Sequence, residues 1–120
     1  MTDRVEDGHA LLPITLRLPG HGDITNEFVV DTGFGGDLTL PIPAIGTLGL
    51  PYSRTMEANL ADDSSVALAL HTATILWQGN EREVDVLATG RRSLLGMGLL
   101  AGSELVVQCC DGGIVTADEM

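Results

Sequence analysis

Aromatic residues are scarce in this chain: it has two phenylalanines, one tyrosine and one tryptophan among 120 residues. Hydrophobic residues still make up 44% of it, so the core has to be assembled from Val, Leu, Ile and Ala, which favours thin, sheet-like packing. Basic residues are scarce too, six against seventeen acidic ones, and the resulting formal net charge of -11 argues against nucleic acid or an anionic membrane as partner. No apolar run approaches the ~20 residues needed to span a bilayer. The amino terminus, Met1 to Gly8, is acidic and has no apolar signal core, so a cytoplasmic location is expected. Cysteine is limited to the neighbours Cys109 and Cys110. Neighbours on an extended strand point to opposite faces, so one is expected in the core and one at the surface, without a structural disulfide. No further cysteine and no histidines at ligand spacing support a metal site.

The length suits one domain over residues 1–120, with residues 1–10 expected to be flexible and 117–120 a loose tail. No internal repeat, low-complexity tract or linker divides it. Ile14–Leu18 alternates apolar and polar residues, the period of a half-buried strand, and Pro19–Asp23 supplies turn residues before a returning strand, Asn26–Val30. That second strand ends in an apolar run, Phe28–Val30, and stops at Asp31-Thr32-Gly33. After the glycine-rich Phe34–Asp37, Leu38–Leu40 resumes strand alternation until Pro41 and Pro43 interrupt it, and a loop carrying Ile45 and Leu48 is expected next. Arg54–Asn59 and Ser65–Trp77 read as the arms of a projecting hairpin around Ala61-Asp62-Asp63-Ser64, the second arm long enough to cross two sheets. Gln78–Asn80 turns the chain into another alternating stretch around Glu83–Val86, and Leu94-Leu95-Gly96 follows. One short helix fits within Met97–Leu105, broken by Gly98 and Gly102. Leu105–Cys110, a turn at Asp111–Gly113 and Ile114–Thr116 form a final hairpin signal.

The motif that carries chemistry is Phe28-Val29-Val30-Asp31-Thr32-Gly33. A buried apolar strand ending in an acid at a tight turn is costly unless the acid is hydrogen-bonded or functional. The plain reading is that Asp31 caps the turn and Gly33 supplies positive φ. What weighs against it is a second element some sixty residues downstream, the apolar pair and glycine Leu94-Leu95-Gly96, set after a strand and opening a short helix.

In that order and spacing the chain resembles the retropepsin-like aspartic proteases of small bacterial single-domain type, and the resemblance covers nearly its whole length. It implies an all-β closed barrel with one short helix, active as a two-fold homodimer. It further implies that Asp31 is the catalytic carboxylate, that Thr32 interlocks with its symmetry mate beneath the site, and that Gly33 lets substrate backbone approach. Leu60–Ser65 would be the flap. Phe34, Gly35, Ala61, Asp62, Asp63 and Ser64 would then meet a polypeptide substrate, with Leu94, Leu95 and Gly96 structural. Paired carboxylates activate water without metal or cofactor. A single motif in a chain this short requires a second copy, whose two-fold interface is isologous, and Gln108–Thr116 is the segment expected to form it. Two copies at -11 repel each other at neutral pH, so association is expected to tighten between about pH 4 and 6.

Two positions depart from the family pattern. Phe34 stands where a small residue is usual, and the flap tip has no glycine. They motivate the alternative, a catalytically inactive dimerisation or peptide-binding module. Other signals carry less. Gly96–Gly102 has the wrong spacing for a phosphate-binding loop. His9, His21 and His71 are isolated, with no serine elbow to serve. Arg91-Arg92 reads as a solvated loop or an ion-pair donor, and Trp77 as a packing residue.

Overall fold

Every second residue of the strand His9–Leu18 points inward, and Leu12, Ile14 and Leu16 are completely buried. In the computed structural model, which describes residues 1–120, this is β2 of ten strands and two helices. The others are β1 (Thr2–Glu6), β3 (Gly22–Val30), β4 (Leu38–Leu40), α1 (Ile42–Leu48), β5 (Tyr52–Asn59), β6 (Ser65–Trp77), β7 (Asn80–Ala88), β8 (Leu94–Leu95), α2 (Met97–Leu100), β9 (Ser103–Val107) and β10 (Ile114–Glu119).

The strands run in the order β5-β6-β7-β4-β8-β3-β2-β1-β10-β9, and β2 also pairs with β6 at Thr15–Leu76, Leu16–Ile75 and Arg17–Thr74. That extra pairing closes β6, β7, β4, β8, β3 and β2 into a barrel, which leaves those strands without exposed edges. Phe28, Leu38, Leu40, Ile75, Val84, Val86 and Leu95 fill it alongside the β2 side chains. The aliphatic core read from composition is therefore real, with Phe28 its one phenylalanine. Replacing a completely buried ring of this kind by alanine costs about 3–5 kcal/mol. The long second arm of the projecting hairpin does cross, pairing with β5 through its first half and with β7 and β2 through its second.

Several expectations are corrected. Residues 1–10 are not loose: β1 pairs with β10 at Thr2–Thr116 through Arg4–Ile114 and turns into β2. Nor is the carboxyl end a tail, because Ala117, Asp118 and Glu119 pair with Leu105, Glu104 and Ser103. The loop around Ile45 is the helix α1. Pro41 and Pro43, read as strand breakers, stand at its amino-terminal boundary, where a missing N–H costs nothing, and Gly49 closes it at φ 68 with its N–H on Ile45 O and Gly46 O. α2 is only four residues long before β9 begins. Cys109 and Cys110 are both exposed, because the chain leaves extended geometry after β9, with the Cys110 N–H on Gln108 O at 2.8 Å. Trp77 packs into the core, and the His71 ring meets Leu50 O at 3.0 Å beside Tyr52.

Candidate active site

Strand order places Asp31. β8 lies between β3 and β4, parallel to β3 at Val29–Leu94 and Val30–Leu95 and antiparallel to β4 at Leu38–Leu95 and Thr39–Leu94. A chain leaving β3 for β4 must therefore step over the end of β8, and residues 31–37 make that step. Main-chain bonds lash the crossing on both sides: Asp31 N–H to Leu95 O at 2.8 Å, Gly96 N–H to Asp37 O at 2.8 Å, Met97 N–H to Phe34 O at 2.7 Å and Gly98 N–H to Gly36 O at 3.0 Å. The two sequence motifs, sixty residues apart, are thus one structural unit.

The crossing has no slack. A Cβ on Gly96 would lie 2.3 Å from Gly36 O and 2.6 Å from Phe34 O, and one on Gly98 would lie 2.9 Å from Gly35 O and Gly36 O. Leu95 is completely buried beneath it and Leu94 half-buried. Asp31 itself is half-buried. Its Oδ1 accepts the Gly33 N–H at 2.9 Å, and its carbonyl accepts the Phe34 N–H at 3.1 Å, closing the turn. Gly33 does not adopt the positive φ of the plain turn reading. It is constrained by proximity instead, since a Cβ there would stand 3.3 Å from Asp31 Oδ1. Thr32 and Gly33 are exposed beside the carboxylate, and the Gly33 N–H is the one protein donor to its oxygens.

Phe34 does not stand over the carboxylate. Its ring folds onto two glycines, with the Cβ position of Gly36 2.5 Å from Phe34 Cζ and that of Gly96 2.5 Å from Phe34 Cδ2. There the ring forms one wall of a cavity of about 360 Å³ between the crossing and the arms of the β5–β6 hairpin. Sequence reasoning did not find the opposite wall, Arg54, Met56, Leu70, Asp85 and Leu87. The signal for it was register: Arg54 pairs with Leu70, and Leu70 with Leu87, across three adjacent strands. Asp37 ties the crossing to that wall, its Oδ2 accepting the Asp85 N–H at 3.1 Å.

The hairpin tip lies apart from this unit. Ala61, Asp62, Asp63 and Ser64 are exposed, and the bonds made there are local: Leu60 N–H to Ser64 O at 2.8 Å, Asp63 N–H to Leu60 O at 3.1 Å and Ser64 N–H to Asp62 Oδ1 at 3.0 Å. The Ser64 hydroxyl also donates to Asp62 Oδ1, and these bonds hold the Asp62 carboxyl below the usual carboxylate range. Asp63 supplies the positive φ, 64°, that a glycine would ordinarily provide.

A closed barrel whose inserted β8 braces an Asp-Thr-Gly crossing, with a hairpin projecting beside it, is a retropepsin-like fold. The crystal structure of a retropepsin-like aspartic protease from Rickettsia conorii matches it with a TM-score of 0.59 at 23% sequence identity, covering 96% of this chain and 87% of that one. No protein-family model and no curated protein matches the sequence. No group of three or more His, Cys, Asp or Glu side chains is placed to hold a metal ion, and no helix is long and apolar enough to cross a membrane.

Proposed function

We propose that the chain is an aspartic endopeptidase, active as a homodimer in which two copies of Asp31 face each other across a two-fold axis. The observation that carries this reading is the state of Asp31: a half-buried carboxylate at the end of β3, just past the completely buried Phe28, held by a single main-chain donor at a turn whose next residues, from Phe34 on, line a cavity. A structural acid would have its lone pairs filled; this one is positioned and left open. Two carboxylates sharing a proton titrate as a pair, as is established for aspartic protease dyads. One then takes a proton from the attacking water while the other, protonated, donates to the scissile carbonyl. Thr32, exposed next to the acid, is placed to meet its symmetry mate, and Gly33 and Gly35 leave room for peptide backbone.

An extended polypeptide would lie between the paired crossings and the two hairpins as an added strand. Phe34 serves in this reading as a wall for a substrate side chain, and Ala61, Asp62, Asp63 and Ser64 as the cover. The decisive experiment is cleavage of a diverse peptide mixture from mildly acidic to neutral pH by wild type and by Asp31→Asn. Cleavage by wild type alone is the expected result. If neither protein cuts and intact peptide stays bound, the chain is a peptide-binding module on the same fold.

A further inference from the structure

Where the chain begins, one guanidinium is shared by three carboxylates. Arg4 donates through Nη1 to Asp3 Oδ1 at 3.1 Å and to Glu27 Oε2 at 2.7 Å, and through Nη2 to Glu6 Oε2 at 2.9 Å. Asp3, Arg4 and Glu6 stand on β1 and Glu27 on β3, two strands that do not pair, since β2 lies between them in the ladder. The carboxylates differ in exposure. Asp3 alternates inward with Val5, and its side chain is only 11% exposed, against 44% for Glu27 and 54% for Glu6. Asp3 is therefore the one whose ionisation costs most. No cation other than Arg4 pairs with it. β10 sets Thr116, Val115 and Ile114 against Thr2, Asp3 and Arg4, and Asp118 further along that strand is taken by the amino terminus at 3.3 Å. His9 of β2, opposite Glu6, contacts Arg92. On the turn after β1 the Asp7 N–H donates to Asp111 Oδ1 at 3.2 Å, and at the far end of β3 Asp23 pairs with Arg17.

We propose that Asp3 and Glu27 share one proton in mildly acidic solution, and that this bond clasps β1, and with it the outer hairpin of β9 and β10, to the barrel. The Asp3 O–H then donates to a Glu27 oxygen while Arg4 stays on Glu27 and Glu6. Topology gives the clasp its reach. β1 is the strand through which β10 and β9 join the ladder, by Val5 N–H to Gly113 O at 2.9 Å, Gly112 N–H to Val5 O at 2.8 Å and Ala117 N–H to Met1 O at 3.0 Å. As the proton leaves, one guanidinium faces three negative charges, and the joint between barrel and hairpin loosens. Asp31 takes no part in this, so the clasp stands or falls apart from the peptidase reading.

The pH range follows from the two groups. Burial first, and the neighbouring Glu27 second, raise the Asp3 carboxyl above its ordinary value, while hydrogen bonds from Asp3 and then Arg4 lower that of Glu27. Asp3 therefore contributes stability that is complete below about pH 3.9 and is lost as the pH rises through its raised folded value. Glu27 contributes stability that is complete above about pH 4.3 and is lost as the pH falls through its lowered one. The two contributions overlap near pH 4, where the clasp is strongest, and towards neutral pH the Asp3 share is lost.

Thermal melting of the full chain and of Asp3→Asn, each at about pH 4 and about pH 7, tests this. The Asn amide donates to Glu27 whatever the pH, so it copies the protonated Asp3. Asp3→Asn should melt with wild type at the lower pH and above it by about 1–3 °C at the higher. That gain should shrink to less than half in a Glu27→Ala background. In hydrogen exchange at neutral pH, the Val5, Gly112 and Ala117 amides should exchange several-fold more slowly in Asp3→Asn than in wild type, with the amides of β6 and β7 unchanged. The same difference in melting at both pH values, or a gain that survives Glu27→Ala in full, would overturn the shared proton. Slowing spread evenly over β6 and β7 would overturn its place at the joint. Should Asp3→Asn fail to fold, carbon NMR of the wild type decides: Asp3 and Glu27 titrating on opposite sides of the ordinary carboxylate range uphold the clasp, and two ordinary titrations remove it. Each of these outcomes is read without peptide cleavage, which tests Asp31 separately.

Discussion

The crossing at residues 31–37 and the hairpin tip at residues 60–64 are both turns rich in small or polar residues, yet they are held in opposite ways. At the crossing, bonds from the Gly96, Met97 and Gly98 N–H groups tie two distant parts of the chain together, and carbonyl oxygens fill the space where side chains would begin. At the tip, every bond is between residues at most four apart, and all four side chains from Ala61 to Ser64 are in solvent. Opening the tip would break local bonds only, whereas moving the crossing means unpicking the barrel. The crossing is thus fixed by long-range bonds and the tip by local ones alone, the end of the stability range from which local opening is drawn.

The sharpest way to break the comparison is to substitute at the crossing. Gly96→Ala places a methyl group 2.3 Å from Gly36 O and 2.6 Å from Phe34 O, both main-chain atoms without freedom to retreat. We expect a loss of about 3 kcal/mol or more in chemical denaturation. A value under about 1 kcal/mol would show that the crossing has slack after all.

Gly36→Ala probes the same turn differently, because its methyl group meets a side chain, Phe34 Cζ at 2.5 Å and Cε1 at 2.8 Å. It should cost about 1–3 kcal/mol in the wild type and much less in a Phe34→Ala background, a coupling of about 1 kcal/mol in a double-mutant cycle. Gly96→Ala should not be rescued to the same degree, since its two carbonyl clashes survive loss of the ring. Equal rescue at both glycines would mean that the ring, and not the main chain, sets the geometry of the turn.

Much of this unit was legible in the sequence. Asp31 and Leu94-Leu95-Gly96 were visible because an acid at a tight turn and a glycine after an apolar pair stand out from the strands around them, and the strand alternation follows directly from one-sided burial. The facing wall of the cavity was not visible. Arg54, Met56, Leu70 and Leu87 are ordinary strand residues, and only the register of three strands brings them together. α1 was missed because proline breaks a strand and begins a helix with the same chemistry, and without the Gly49 cap geometry the two cannot be told apart. The ends were misjudged for a related reason. Thr2–Glu6 and Ala117–Glu119 are too polar to announce a strand, and they become strands by pairing with partners more than a hundred and 12 to 16 residues away in sequence, respectively. Both pairings are tertiary, and local pattern does not carry them.

The smallest expected effect lies at the tip. The Ser64 hydroxyl and N–H both donate to Asp62 Oδ1 and keep that carboxyl below its usual range. A carboxylate depressed in the folded state contributes stability above its ordinary value, about 3.9, and loses that contribution as the pH falls through the depressed folded value. Ser64→Ala removes the hydroxyl and leaves the N–H, so the Asp62 titration followed by carbon NMR should move part of the way back up. The melting midpoint at neutral pH should fall only slightly, because the lost contribution is that of one fully exposed carboxylate and the tip is bonded only to itself. A Ser64→Ala variant that melts far lower at neutral pH would show that the tip's bonds reach into the barrel, and the contrast between the two turns would then fail.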